Sequence, residues 1–180
     1  MANKDLSMKR EVYKLVLIFF TLALIVLIFY PLFSGSKNVK IVEVIDGDTV
    51  KLEWKEQNKN LRLKSVDTPE TSGYNTPEEY EGIPKSRWEC LQKWGYKAKE
   101  LVETKIHGRE VKLRYRRSIF SMEKGRYGRM LGEIELEGQN KTLGKYMVEK
   151  GYARSYDDSY SDLEARTRNN SKGLWECKAN

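Results

Sequence analysis

The sequence predicts an α+β domain in which five short strands form a small closed barrel, with three helices in the domain and one apolar helix before it. Two observations predict this arrangement. Short runs of alternating apolar and polar residues, typical of half-buried strands, begin at residue 39 and recur after residue 108. Longer stretches with apolar residues at helical spacing lie between and after these runs. This order is that of an α+β domain, because strands and helices do not alternate one by one.

The first element is an apolar run over residues 15–33. Its length is close to the roughly 20 residues that cross a bilayer as a helix, and the segment before it, residues 1–14, carries four basic residues. Basic residues on this side favour a cytoplasmic N-terminus and a body outside the cytoplasm. We therefore expect a transmembrane anchor or, alternatively, a cleaved signal segment, although signal segments usually have a shorter apolar region. A helix buried in the domain is disfavoured because the run is apolar on every face.

Three strands are expected at the start of the body, which spans residues 39–180 after a short flexible linker at residues 34–38. The first two flank Asp46–Gly47, a strong two-residue hairpin signal. A polar turn leads from the second strand to the third. The three strands are predicted at residues 39–45, 49–54 and 60–66.

Helices and the remaining strands follow a long loop that ends near residue 84. A capping pattern that begins at Ser86 opens a helix, and His107–Gly108 ends it. Gly151 and Gly173 stop two later helices, as is common at helix C-termini. The helices are predicted at residues 86–106, 142–150 and 161–172, and the strands at 109–115 and 130–137. Five short strands with an inserted helix suit a barrel of the oligonucleotide-binding type.

Composition narrows the classes of partner and site. The formal net charge is +7, and a basic body is attracted to polyanions such as nucleic acid. There are two cysteines, Cys90 and Cys177, which can form a disulfide in an oxidising compartment or remain as two buried thiols. The single histidine, His107, lies in a helix-to-strand turn, so neither a zinc site nor catalysis by histidine is favoured.

Three carboxylates lie where strands end or loops begin. Asp48 follows the predicted hairpin turn, in which Asp46 is assigned a turn role. Asp67 and Glu70 lie three residues apart around a bend after the third strand. This spacing allows both side chains to face one cavity, but Asp-Thr-Pro-Glu is equally good chemistry for a helix start.

These carboxylates suit a divalent cation. Pro69 favours an extended conformation at Thr68, which exposes the Thr68 carbonyl. The Asp48 and Asp67 carboxylates and this carbonyl are hard oxygen donors, which calcium prefers. Glu70 is then available to deprotonate a water molecule.

Two arginines complete a candidate phosphate site. Arg62 lies five residues before Asp67, and Arg129 follows Tyr127–Gly128. Two guanidinium groups directed at one phosphate bind it bidentately and stabilise the added negative charge of the transition state. Taken singly, a strand arginine such as Arg62 is usually exposed or paired with a cross-strand acid, and Arg129 is typical of a surface charge. Basic residues of the loop 116–126, Arg126 among them, are candidates for binding flanking phosphates. Together with the carboxylates, these groups predict cleavage of nucleic acid.

Five short strings, in this order, resemble the staphylococcal nuclease (thermonuclease) family. They are residues 44–50, 62, 66–71, 127–129 and 173–175, and the resemblance extends over residues 39–175. It implies a five-stranded barrel with three helices. It also implies a calcium-dependent nuclease of low sequence specificity that cuts DNA, RNA or both by in-line attack of water.

The resemblance also assigns roles to the residues. Asp48, Asp67 and the Thr68 carbonyl are expected to bind calcium, and Glu70 to be the general base. Arg62 and Arg129 are expected to bind the scissile phosphate, and Tyr127 to lie beside the bound nucleotide. All five charged positions carry the expected residue, which argues against the alternative, an extracytoplasmic barrel that binds nucleic acid without cutting it. A phosphodiesterase acting on a small nucleotide is a further alternative.

One segment departs from the family pattern. Residues 72–94 are longer than the usual connection, contain Cys90 and border the expected site. A disulfide between Cys90 and Cys177 would tie this insertion to the C-terminus. The expected partners are therefore a nucleic-acid substrate and, through the N-terminal helix, a membrane. No protein partner is inferred.

Overall fold

A computed structural model describes residues 2–73, 75, 79–116, 125 and 128–178 of the chain. The α-helices in this part are α1 (Ala2–Phe33), α2 (Trp88–Ile106), α3 (Leu143–Lys150) and α4 (Ser161–Asn169). The strands are β1 (Ser34–Asp46), β2 (Thr49–Trp54), β3 (Gln57–Leu63), β4 (Val66–Asp67), β5 (Glu110–Arg116), β6 (Met130–Ile134) and β7 (Arg154–Ser155). Short 3-10 helices occur at Lys85–Arg87, Asp158–Tyr160 and Gly173–Cys177.

The predicted α+β class and the closed five-stranded barrel are confirmed. Strands β1, β2, β3, β6 and β5 pair in that order, and β5 pairs back to β1. The β3–β6 pair is parallel and the other pairs are antiparallel. Strands β4 and β7 form a separate two-stranded sheet. Strand β4 follows the barrel strand β3 along the chain.

The main core fills the barrel and continues beneath α2 and α3. Alternate residues of β2 and β3, such as Leu52 and Leu61, are fully buried inside. Ala98 and Val102 of α2 and Met147 of α3 are also fully buried in this core. The two helices thereby cover apolar surface that the barrel would otherwise expose to water.

A second, smaller core lies between the insertion and the C-terminal segment. Tyr80 packs near Trp175, with ring centroids 6.4 Å apart, and both side chains are almost completely buried. Leu91 and Leu174 belong to the same cluster. A disulfide joins Cys90 to Cys177, with the Cα atoms 5.8 Å apart. The described part of the insertion is therefore packed against the domain.

The linker expected at residues 34–38 is instead the beginning of β1, where these residues pair with residues 112–116 of β5. Their small and polar composition has low strand propensity, so the pairing depends on the partner strand. The ring of Tyr115 packs closely against the backbone at Gly35, where a Cβ atom would lie 2.7 Å from Cζ of that ring. The polar composition of residues 34–38 therefore gave no signal for a strand, and the prediction of a linker there was wrong.

The third predicted strand, 60–66, is shifted and divided. The turn before it is formed by Lys55 and Glu56, both with positive φ, so β3 already begins at Gln57. Strand β3 ends at Leu63, and Ser65 also has positive φ. This break turns Val66 and Asp67 out of the barrel to pair with β7.

The predicted helix signals are mostly confirmed. Helix α2 ends at Ile106, next to the predicted stop, but starts at Trp88 because Lys85–Arg87 form a 3-10 turn. Thr142 caps α3 by accepting a hydrogen bond from the Lys145 backbone N–H, and left-handed Gly151 ends the helix. Helix α4 ends at Asn169, three residues before the predicted end.

Helix α1 contains the apolar run that predicted a membrane anchor. Among the described residues, no helix combines the length and the apolar character that a bilayer crossing requires. The structure therefore gives the predicted transmembrane helix no support.

Candidate active site

Arg62 connects two of the predicted carboxylates. Its position in β3 is opposite Thr49, the residue after Asp48, and Asp67 lies in the short strand β4 that follows. One guanidinium nitrogen, Nη1, donates to Asp48 Oδ1 at 2.5 Å, and the other, Nη2, donates to Asp67 Oδ1. Strand register thus brings together three residues separated by up to nineteen positions.

Asp48 is buried in the site and is only 3% exposed. Its Oδ1 accepts a hydrogen bond from the Thr49 hydroxyl at 2.8 Å, and its Oδ2 accepts one from the Thr68 backbone N–H at 3.1 Å. Burial raises the pKa of the Asp48 carboxyl, and the neighbouring Arg62 guanidinium opposes that rise. Asp48 thereby fixes the bend at Thr68 in addition to facing Arg62.

Glu70 stands on the solvent side of the same site. Burial of part of its carboxyl, a hydrogen bond shared with Asp46 and the charge of Asp46 raise the pKa of Glu70 to about 7. Burial likewise raises the pKa of Asp46. A carboxylate with a pKa near neutrality is well suited to take up a proton during a reaction.

Arg129 reaches the site from the beginning of β6. Its Nη1 lies 3.5 Å from Oγ1 of Thr49, and it lines one cavity together with Arg62, Asp67 and Glu70. The cavity has a volume of about 500 Å³. The five charged residues that the sequence predicted are therefore close together: four of them line the cavity, and the buried Asp48 is hydrogen-bonded to Arg62.

Some predicted residues lie outside the described residues. Arg126 and Tyr127 are among them, as are most residues of the basic loop 116–126. Two other tyrosines, Tyr152 and Tyr156, differ in their surroundings. Tyr156 lines the cavity and is 62% exposed. Tyr152 packs on Trp94 instead.

Three residues of the site were missed or misassigned in the sequence. Arg154 of β7 donates from Nε to Asp67 Oδ2 at 2.9 Å. Asn75, in the insertion, is 5% exposed and accepts a hydrogen bond from the Glu70 backbone N–H at 2.6 Å. Asp46 faces Glu70, although its Oδ1 also accepts the Gly47 N–H, as the assigned turn role requires. Only Asp46 was detectable, because it adjoins the motif that contains Asp48.

The donor set fits a hard cation in its chemistry. Arg62 brings Asp48 and Asp67 together, and among the described residues the buried Thr68 Oγ1, close to Gly47, has no hydrogen-bond partner. Both carboxylates are paired with arginine, so a cation would replace part of that pairing. Across the described residues, no three His, Cys, Asp or Glu side chains form a metal-binding group. The predicted set contains only two such side chains and completes its ligands with a backbone carbonyl.

Comparison with known proteins gives consistent matches. Residues 60–177 match the family model described as staphylococcal nuclease homologue, which includes Arg62, Asp67, Glu70 and Arg129 but begins after Asp48. An uncharacterized protein of Methanocaldococcus jannaschii is 34% identical, over 78% of this chain and 72% of that protein. The thermonuclease of Staphylococcus hyicus is 26% identical, over 79% of this chain and 78% of its own length. An uncharacterized endonuclease of Escherichia coli O157:H7 is 25% identical, over 81% and 82% respectively.

Proposed function

The chain belongs to the staphylococcal nuclease family and is a nuclease, and from this premise we propose that it hydrolyses phosphodiester bonds of DNA, RNA or both in a calcium-dependent reaction of low sequence specificity. The observation that carries the proposal is the bridge from Arg62 to Asp48 and Asp67, beside Glu70 and Arg129 in one cavity. Binding of phosphate alone has no use for three carboxylates, because each repels the ligand.

The arginines are proposed to bind the scissile phosphate. Arg62 and Arg129 line the cavity, and guanidinium groups match the geometry of phosphate oxygens. In the present geometry Arg62 is paired with the two aspartates. Binding of substrate therefore requires Arg62 to give up part of this pairing. Arg129 lines the same cavity, and its Nη1 lies 3.5 Å from the Thr49 hydroxyl oxygen.

Glu70 is proposed as the general base. Its carboxyl is on the exposed side of the site, and a pKa of about 7 lets it accept a proton from an attacking water near neutral pH. Asn75 holds the Glu70 backbone, which limits movement of the base. In-line attack by this water would then break the phosphodiester bond.

The Asp48 and Asp67 carboxylates, with the Thr68 carbonyl, are proposed to hold the calcium ion. Calcium bound there would supply positive charge beside the phosphate, as oxygen-ligated metal ions do in other phosphoryl-transfer sites. The two carboxylates would otherwise repel the substrate. Calcium binding therefore explains why Asp48 and Asp67 lie at a phosphate site, which their pairing with arginine alone does not explain.

Parallel measurement of cleavage and binding tests the proposed function. The full chain is incubated with denatured DNA and with RNA, in calcium and in a calcium chelator, while fluorescence anisotropy records binding. We expect both polymers or one of them to be degraded only in calcium. Binding in both conditions without degradation would instead identify a capture module. Degradation of mononucleotide esters alone would identify a small-nucleotide phosphodiesterase.

We also propose that the nuclease domain acts outside the cytoplasm. The apolar run at 15–33 follows basic residues, and the Cys90–Cys177 disulfide is of a kind that persists in oxidising compartments. Fractionation of cells that express the full chain tests this location, with mass spectrometry of the recovered protein. Recovery with the membranes at full mass would indicate an anchor, and recovery in the medium at reduced mass would indicate signal cleavage. Recovery in the cytosol with two free thiols would contradict the proposal.

A further inference from the structure

Arg154 is a cross-strand neighbour of Asp67. The two residues are directly paired in the β4–β7 sheet, and Arg154 Nε donates to Asp67 Oδ2 at 2.9 Å. Arg62 donates to the other oxygen, Oδ1. The two carboxylate oxygens of Asp67 therefore have different partners, one in the barrel strand β3 and one in β7.

The Arg154 side chain is itself held in place from several directions. Its Nη2 lies 3.4 Å from Oε2 of Glu79 in the insertion. Its Cζ atom lies 5.5 Å from the ring centroid of Tyr80 and 5.9 Å from that of Tyr156, distances at which a guanidinium interacts with aromatic faces. Only 17% of the side chain is exposed. Arg154 is thus built into the wall of the site.

We propose that Arg154 is a positioning residue for Asp67, which keeps this carboxylate oriented when its pairing with Arg62 gives way to a calcium ion. The inference rests on the proposed function, because it assumes that Asp67 binds calcium. Arg62 has to leave Asp67 in part when phosphate binds, whereas Arg154 is also held by its contacts with Glu79, Tyr80 and Tyr156. Arg154 therefore keeps the carboxylate oriented while its other partner changes.

The sign of the effect on calcium affinity distinguishes positioning from simple charge. If Arg154 acts only through its charge, its removal strengthens calcium binding, because it is a cation close to a proposed cation ligand. If Arg154 orients Asp67, its removal weakens calcium binding, since loss of a hydrogen-bonding partner of a metal ligand typically costs 10–100-fold in affinity. The two explanations predict opposite results for the same substitution.

Calcium titration calorimetry of the full chain without substrate tests the inference. We compare the wild type with Arg154→Gln, which removes the charge, and with Arg154→Lys, which retains it. Positioning predicts affinities in the order wild type, Lys, Gln, with the Gln variant about 10–100-fold weaker than the wild type. Calcium affinity of the Gln variant equal to or above that of the wild type, or above that of the Lys variant, would overturn the inference.

Two controls keep the outcomes separate. Asp162→Asn removes an exposed carboxylate of α4 that does not line the cavity, and it should leave calcium affinity within about threefold, the scale of a weak surface charge pair. Thermal unfolding in chelator confirms that each variant is folded. A wild-type chain that binds no calcium would refute the proposed calcium site itself, whereas wild-type binding with the wrong order of variants would refute only the role of Arg154.

Discussion

The environment of Glu70 shows how much a single side chain depends on its neighbours. Its carboxyl faces Asp46, and burial with that neighbour raises the pKa of Glu70 to about 7. An isolated glutamate has a pKa of about 4.3 and is a weaker base at neutral pH. The basicity of the Glu70 carboxylate therefore depends on Asp46, at the turn between β1 and β2, as well as on burial.

Replacement of the proposed base should slow turnover without unfolding the protein. Glu70→Gln keeps the shape of the side chain but cannot accept a proton, so we expect turnover of denatured DNA to fall by at least about 10²-fold. Initial rates at saturating substrate measure this effect, with circular dichroism as the control for folding. Turnover close to that of the wild type would remove Glu70 from the mechanism.

The same substitution should change how stability depends on pH. A carboxyl whose folded pKa is raised from 4.5 to about 7 binds its proton more tightly in the native state, so stability falls as pH rises through that window. Glutamine does not ionise, so it causes no such loss of stability as the pH rises. Glu70→Gln should therefore gain stability relative to the wild type above pH 7 and lose that advantage below pH 4.5, by a modest amount because the side chain is exposed.

Urea denaturation at several pH values in chelator measures this difference. Asp162→Asn in α4 is a matched control, because it removes an exposed carboxyl far along the chain from Glu70. A stability difference between Glu70→Gln and the wild type that is the same at pH 4.5 and pH 8 would show that Glu70 has no raised pKa in the folded protein.

The main charged residues of the site were predictable because each lies in a local sequence signal. Asp48 follows a hairpin turn, and Asp67 and Glu70 flank a proline bend. Arg154 and Asn75 lacked such a signal, since their roles arise from pairing of β4 with β7 and from the fold of the insertion. Contacts between distant segments were therefore the part that the sequence alone did not reveal.

Helices were predicted more accurately than strands for a related reason. Helix α3 begins at a capping threonine and ends at a left-handed glycine, and both signals are local. The beginning of β1 has no local signal, because residues 34–38 are ordered by pairing with β5. Likewise, the break between β3 and β4 occurs at Ser65, whose positive φ is uncommon for serine.

Helix α2 supports the bend that carries Glu70 through a glycine. A Cβ atom at Gly95 would lie 2.5 Å from the carbonyl oxygen of Pro69 and 2.7 Å from that of Glu70. We therefore expect Gly95→Ala to lower both stability and turnover, although alanine in a helix normally adds about 1 kcal/mol. Lys93→Ala, at an exposed position of the same helix, is the matched control.

Thermal unfolding and initial rates of DNA hydrolysis measure the Gly95→Ala variant. The expected loss of stability is of the order of 1–3 kcal/mol, as for overpacked cores. A Gly95→Ala variant as stable and as active as Lys93→Ala would mean that α2 does not constrain the bend at Glu70.

The disulfide should stabilise the insertion and the C-terminal segment together. Cys90 and Cys177 are separated by 87 positions, and closing a loop of that size stabilises by roughly 4–5 kcal/mol in the chain-entropy model. Measured effects of disulfides often fall below this value, so we expect a smaller loss. Urea unfolding with and without reductant measures it, and the double variant Cys90→Ala/Cys177→Ala should not respond to reductant. A wild type that is insensitive to reductant would contradict the role of the bond.

Taken over the full chain, charge and fold agree with an enzyme that acts on polyanions. The chain carries a net charge of +7, yet the site itself contains the carboxylates Asp46, Asp48, Asp67 and Glu70. A basic protein whose site places carboxylates among its arginines is poorly explained as a simple nucleic-acid-binding module, because each carboxylate repels phosphate. The combination is explained if a cation offsets that charge during the reaction.

Hydrolysis of denatured DNA after calcium is withdrawn and returned tests the central claim most directly. The initial rate is measured in chelator and again after excess calcium is added, for the wild type and for Asp48→Asn. We predict that the wild type is inactive in chelator and recovers with calcium, while Asp48→Asn stays folded but does not recover to the wild-type rate at the same calcium concentration. An equal rate of hydrolysis in chelator, or full recovery of Asp48→Asn, would contradict a metal-assisted mechanism based on the Asp48–Asp67 pair.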